Sequence, residues 1–353
     1  MAITIGLIFL SAVLSSDYYY SDSVFKVLPW FLIGAIVFGL INTFAHEFGH
    51  VIAGKKNDFK FVSMTVWFFK WTKKKKKLKF DFVFIGEEAG STEMLPDGTK
   101  DLATRLKNMT NGGIIASFIM MIISLPPLFL SGLLPEWLHC ILLMALPISA
   151  YFYFGSVLPM TNEGVRNDGA VVYGIKKNDD VSKVTVNVLA IHALMSEGKT
   201  PSEIDENLYF DLPQLPEDDL NFAILYNSRY NYYLDKGDYA NAKKISDRLM
   251  DVIDYMPKSV QVVVKTDALY NACTFDYNED LADDLMSELE KYLNNTNDAT
   301  AIRVKLAYLV HICHQTSEFD IFYEKGIKEA KKHPVKGFGL FETKLLDKLK
   351  SDC

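Results

Sequence analysis

Apolar residues are gathered into long unbroken runs in the first half of this chain and spaced at helical intervals in the second. Val27 to Ala45 runs 19 residues without Asp, Glu, Lys or Arg, Met109 to Pro135 runs 27, and Trp137 to Asn162 runs 26. A bilayer core takes roughly 20 apolar helical residues, so each run is long enough to span one. Ala2 to Ser16 is shorter; with no basic residues ahead of it and no small-x-small cleavage site, it reads as an uncleaved first span. Spans are therefore expected near 2–16, 25–53, 109–134 and 137–160.

Between the second and third of these, the pattern changes to one of strands. Phe59 to Phe69 is rich in Phe and Val, and Lys77 to Ile85 alternates, with Phe80, Phe82 and Phe84 on one face. Together they predict a β-hairpin over 59–85, closed by the run Lys73 to Lys77. Those lysines read as a solvated turn or as a contact for anionic lipid headgroups. Beyond Val181, helical periodicity returns without membrane-length runs. Helices are expected near 182–196, 216–236, 239–254, 259–273, 279–294, 299–315, 318–332 and 338–350. The turn Lys236-Gly237-Asp238-Tyr239 is similar to a tetratricopeptide-type hairpin, and Ala242, Ile245 and Leu249 recur as Ala282, Leu285 and Leu289. That 40-residue spacing exceeds the standard 34, so the reading is an α-helical repeat or bundle.

The fold class that follows is mainly α: a polytopic membrane domain over 1–175, of about four transmembrane helices with a small cytoplasmic β-hairpin, and a soluble α-helical, tetratricopeptide-like domain over 176–353. Charge divides the same way. The full 353 residues carry a net −7, but residues 1–175 sum to about +2 and the remainder to about −9. Residues 54–108 hold 13 Lys or Arg against 7 Asp or Glu, which places that loop, and with it the helical tail, on the cytoplasmic side. The pI near 5.6 excludes a general nucleic-acid binder, and four scattered Cys fit a reducing compartment and no disulfide scaffold. A Lys-, Asn-, Ile- and Tyr-rich composition fits a bacterial cell membrane protein.

Candidate chemistry sits where the second span ends: His46-Glu47-Phe48-Gly49-His50. On a helix, positions i and i+4 share a face, so both imidazoles can reach one ion, with Glu47 beside them as a base for an activated water. Ionisable residues at membrane depth are costly and mark functional sites. Two His leave zinc one protein ligand short. The end of the last span, Leu158 to Gly169, returns to the same level and offers Asp168 and Glu163. Elsewhere, His311-Ile312-Cys313-His314 lies in a helical pattern with no fourth partner, and His139 and Cys140 lie at the far end of their span and read as packing.

An HExxH ending one transmembrane helix, with a Pro…Asn-Asp-Gly segment two spans later, resembles the site-2 protease family of intramembrane zinc metalloproteases. The resemblance covers roughly residues 24–175. It implies one Zn2+ held by His46, His50 and Asp168, with Glu47 as catalytic base and Glu163 as the alternative third ligand. It also implies β-strands between the first two core helices. The family's Gly-Pro-x-x-Asn element has Asn111-Gly112-Gly113-Ile114-Ile115-Ala116-Ser117 in its place, which makes Asn111 and Ser117 the candidates for oxyanion or substrate positioning. Gly112 and Gly113 also read as small residues that let helices approach closely.

The function expected is hydrolysis of a peptide bond in a membrane-inserted or membrane-presented peptide. A transmembrane substrate must unwind first, and the hairpin edge offers it a strand to pair with. The lipid bilayer, a membrane peptide or protein substrate and a protein partner of the helical tail are the expected partners. The competing readings are a non-proteolytic membrane scaffold with a vestigial metal site and a membrane-anchored zinc protease of soluble cytoplasmic peptides. Glu47 argues against the first, since a structural metal site has no use for a base.

Overall fold

A computed structural model describes residues 24–74, 77–83, 89–130, 132–162 and 164–351. The expected first span at 2–16, Lys75, Lys76, Phe84, Ile85 and Glu163 lie outside the described residues. The chain is mainly helical, carries a four-stranded antiparallel sheet and a two-stranded pairing of Thr161–Asn162 with Val165–Arg166, and divides into two compact units.

The first unit contains residues 24–95, 103–161 and 166–177. Three of its stretches are long and apolar enough to cross a membrane: Lys26–Lys56, Leu102–Phe129 and Glu136–Val157. The first lies in helix α1 (Val24–Lys56) and the second begins as helix α2 (Leu102–Ile123). Only 22% of the apolar window in each of these is buried, so most of their Leu, Ile and Phe face outward. Leu32, Ile36 and Ile123 are more than half exposed, which water would penalise and lipid would not. The third stretch is two helices, α3 (Glu136–Leu143) and α4 (Ala145–Val157), interrupted at Met144. Pro147 explains the break: it has no N–H to give the Leu143 carbonyl four residues back, and its ring crowds that carbonyl. Helix α5 (Asp168–Lys177) follows.

The sheet differs from the simple hairpin. Strands β1 (Phe59–Val66), β2 (Phe69–Lys74), β3 (Lys77–Phe82) and β4 (Gly90–Pro96) lie in the order β3-β2-β1-β4. The first expected strand folds back on itself at Trp67-Phe68, so that Val66 pairs with Phe69 and Met64 with Trp71. A two-residue turn of this kind favours Gly or Asn at positive φ, and Trp67 adopts φ 54° instead. Its ring packs on Gly39, and its indole N–H donates to Thr43 Oγ1 at 3.3 Å, which offsets the backbone strain. The lysine run joins β2 to β3, and β4 is a strand the alternation did not reveal. Met64 and Val66 face α1 and bury against Val51.

The second unit contains residues 96–102, 162–165 and 178–353 and is built of helices. They are α6 (Asp180–Glu197), the short α7 (Asn207–Phe210), α8 (Leu220–Lys236), α9 (Tyr239–Asp251), α10 (Lys258–Asn271), α11 (Glu279–Asn295), α12 (Ala299–His311), α13 (Phe319–Ala330) and α14 (Lys336–Ser351). Four of its Asp residues and one Asn serve as caps: Asp179, Asp219, Asp238, Asn278 and Asp298 each accept a hydrogen bond from a first-turn backbone N–H. Each such cap stabilises its helix by about 1 kcal/mol. Gly237 ends α8 at φ 77°, where a side chain would be strained, and Asp238 starts α9 at once. Ala242, Leu249, Ala282, Leu285 and Leu289 are all buried, so the recurrent positions are core positions.

One polar cluster lies inside that core. Arg303 on α12 and Glu342 on α14 are both fully buried and joined by Arg303 Nε to Glu342 Oε2 at 2.7 Å and a second bond at 3.3 Å. Thr300 donates to the same carboxylate, and the guanidinium lies 4.1 Å over the Tyr270 ring. On α10, Asp267 accepts from Asn227 at 2.7 Å, and Asn271 accepts from Tyr230. Burial pushes the Asp267 carboxyl up to about 7, with nearby Arg303 opposing and Glu342 reinforcing. The donors left over are Arg303 Nη1 and Asn271 Nδ2.

Candidate metal centre

HEFGH lies on α1, about two to three turns before its C-terminus at Lys56. Because it is helical there, His46 and His50 project side by side, their Nε2 atoms 3.2 Å apart. Asp168, the first residue of α5, brings Oδ2 to 3.0 Å from His46 Nε2 and 3.3 Å from His50 Nε2. The three ligand atoms lie within 4.8 Å of one another. Among the described residues, no other group of three His, Cys, Asp or Glu side chains converges in this way.

Each of these side chains is held by a second group. His50 Nδ1 donates to the Met109 carbonyl on α2 at 3.1 Å; since a carbonyl only accepts, Nδ1 carries the proton and a neutral His50 presents a bare Nε2. His46 Nδ1 shares a 2.9 Å hydrogen bond with Ser117 Oγ, also on α2 and 1% exposed. Asn167 caps α5: its Oδ1 accepts from Ala170 N and Met160 N, and its amide donates to the Gly155 and Leu158 carbonyls. The end of α4 is thereby tied to the start of α5, and Asp168 is fixed beside it. Gly169 lets the two helices meet, since a Cβ there would press on the Val157 carbonyl.

Glycines on α2 bring that helix within reach. Gly49 and Gly112 face each other so closely that a Cβ on either would overlap the other's backbone. Gly113 has a different task. A Cβ there would overlap His50 Nε2 and stand 2.8 Å from His46 Cε1, so its missing side chain is the space the imidazoles occupy.

Glu47 is buried and does not point at the three ligand atoms alone; it is gripped by β4. Thr92 Oγ1 donates to Glu47 Oε2 at 2.6 Å and to the Glu47 carbonyl at 3.2 Å. Gly90 passes over the other oxygen, where a Cβ would stand 2.7 Å from Oε1.

The donor set fits a metal ion. Asp168 Oδ2 is buried and has no hydrogen-bond donor, although two imidazole nitrogens lie beside it. With the Nδ1 proton of His50 committed to Met109, the centre is a meeting of acceptors, which only protons or a cation can hold together. Two imidazoles and a carboxylate suit a first-row divalent ion.

The sequence-predicted residues divide accordingly. His46, His50 and Asp168 come together with Glu47 alongside. Ser117, expected near the oxyanion, instead supports His46. Asn111 is half-buried on the same helix, and Glu163 lies outside the described residues. Thr92, Asn167 and the Met109 carbonyl were not foreseen. The Asn-Asp-Gly triplet held the signal for Asn167, an N-cap residue placed before a helix; nothing in the local pattern marks Thr92. His139 is buried with its Nε2 3.1 Å from the Pro127 carbonyl, and Cys140 is buried beside it. No family model, curated protein or solved structure matches this chain.

Proposed function

We propose that this chain is a membrane-embedded zinc endopeptidase, similar in its site to the site-2 proteases, that cleaves a membrane-inserted or membrane-presented peptide. The observation that carries the reading is the convergence of His46, His50 and the donor-less Asp168 beside a carboxylate that has its own separate support. Zinc held by these three residues would polarise a scissile carbonyl and lower the pKa of a bound water toward about 7. Glu47 takes a proton from the attacking water and delivers it to the departing amine as the C–N bond breaks, leaving a carboxylate and an amine as products. Thr92 holds Oε2 in place during that transfer, and Gly90, having no side chain, lets β4 pass close to Oε1. The scaffold reading gives no reason for a strand residue to orient Glu47.

The sheet order refines where an unwound substrate would pair. β1 and β2 are interior strands, so the hairpin edge first expected is not free along its length; β3 and β4 are the terminal strands. β4 is the one that touches Glu47, and a peptide added along it would run past the base. The helical unit would then recruit substrate or a regulatory protein.

The test is co-expression of the full chain with a panel of small single-span membrane peptides, comparing wild type with Glu47→Gln. Loss of processing in a variant that keeps its metal supports proteolysis at this site. Equal processing by both proteins ends it.

A further inference from the structure

The sheet reaches further than the helix that supports it. Cross-strand pairs fix which side chains share a face: Phe69 with Phe82, Trp71 with Phe80 and Lys73 with Leu78 on one side, Lys70 with Asp81 and Thr72 with Lys79 on the other. The first face is the one that, two strands away, buries Met64 and Val66 against α1. Beneath β3 that support has ended. Leu78, Phe80 and Phe82 are 63%, 47% and 72% exposed, yet Phe80 and Phe82 lie in one aromatic cluster with Phe69 and Trp71, with neighbouring ring centroids 5.2–5.8 Å apart. The opposite face and the turn end carry exposed Lys73, Lys77 and Lys79, with Asp81 paired to Lys79.

The overhang has a neighbour of known chemistry. Trp71 meets Phe44 of α1 edge-on at 6.0 Å, and Phe44 stacks on Phe48 at 5.6 Å. Phe44 and Phe48 are 42% and 43% exposed and stand on the outward side of a membrane-length helix, together with Ile41 and Ile52. The aromatic face of the ribbon thus continues, ring to ring, the apolar surface that α1 turns to lipid. An amphipathic element with one aromatic face and one lysine face belongs at the boundary between headgroups and acyl chains.

We infer that the β2–β3 ribbon is an interfacial anchor: its Phe and Leu side chains enter the acyl boundary, and Lys73, Lys77 and Lys79 bind acidic phospholipid headgroups. This inference does not depend on proteolysis. It is tested by hydrogen exchange of the segment 68–83 in the full chain, reconstituted at one copy per nanodisc in phosphatidylcholine alone or with 30 mol% (a chosen probe, about the anionic share of a charged leaflet) phosphatidylglycerol. Exchange slows in the anionic discs, and Lys73→Gln, Lys77→Gln and Lys79→Gln each remove roughly fivefold of that slowing, as expected for about 1 kcal/mol per lysine. Phe80→Ser with Phe82→Ser speeds exchange in both lipids while protection of β1 and of α8–α14 stays unchanged, which separates lost anchoring from lost folding. Equal exchange in the two lipid compositions overturns headgroup binding. Protection that appears only at two copies per disc overturns the lipid assignment in favour of a second copy of this chain.

Discussion

Two clusters of ionisable side chains sit inside this molecule, one in each unit, and they are complementary opposites. In the helical unit, Arg303 and Glu342 answer each other, Thr300 and Tyr270 complete the cage, and the atoms left over are donors. In the membrane unit, His46, His50 and Asp168 converge with His50 Nε2 and the carboxylate presenting acceptors, and the atom left over is a carboxylate oxygen. Both clusters are costly to bury. The first is offset within the chain; the second has the donor set of a cation site. A buried polar group is therefore informative less by its presence than by which half of its hydrogen bonds it lacks.

The contrast breaks most sharply at Asp168. Asp168→Ala should take purified protein from about one metal ion per chain to nearly none, read by elemental analysis, because two imidazoles alone leave a divalent ion weakly held. If metal content is unchanged, the centre is not where the ion binds. Arg303→Met should leave the metal untouched and lower the stability of the helical unit by roughly 3–5 kcal/mol, since it strands Glu342 as a buried, unpaired charge; Arg303→Met with Glu342→Leu should cost far less. A double variant as unstable as the single one would show that the pair itself, not the orphaned charge, is what matters.

Asp267 sharpens the comparison through pH. Its carboxyl, ordinarily near 3.8, is pushed up to about 7 in the folded protein by burial. The folded state then holds a proton the unfolded chain has released. That contribution to stability is fully present below about pH 4 and is lost as pH rises to about 7, at a limiting slope of about 1.4 kcal/mol per pH unit. Asp267→Asn should flatten this part of the profile, measured as the difference from wild type in thermal unfolding of the full chain. Parallel profiles for the two proteins would show that Asp267 is ionised throughout. The smallest effect is expected at Ser117. Ser117→Ala keeps all three ligands and frees only His46 Nδ1, so metal affinity should fall about 10- to 100-fold, with Ser117→Thr closer to wild type. Competition with a chelator measures it, and an unaltered affinity would mean that the hydroxyl is packing.

Much of the membrane unit is legible in the sequence because two strong signals coincide there. Charge-free runs of membrane length are visible in any window, and HExxH owes its meaning to helical geometry alone. Asp168 was reachable, with Glu163 as its alternative, because the last span returns the chain to the level of HExxH and the Asn-Asp-Gly segment resembles a known family element. Thr92 was not, since its role depends on β4 lying beside Glu47, 45 residues away in sequence. The extra turn at Trp67-Phe68 was hidden for another reason. Aromatic residues favour strands, and the φ of 54° at Trp67 is tolerated through contacts with Gly39 and Thr43 that lie on a different element. In the helical unit, periodicity located the helices, and the Asp and Asn caps locate their starts. The Arg303–Glu342 pair left no trace, because a charged residue on an otherwise polar helix face looks solvated until a partner helix covers it.

The order of residues along the chain separates the members of this cluster in time. His50 leaves the ribosome 118 residues before Asp168. At about 5–20 residues per second, the growing chain carries its HExxH for roughly 6–24 seconds before the third member of the cluster exists. In the folded chain Asn167, the neighbour of Asp168, bridges the end of α4 to the start of α5. The nascent chain therefore carries its two imidazoles for seconds without the carboxylate that lies between them in the folded protein.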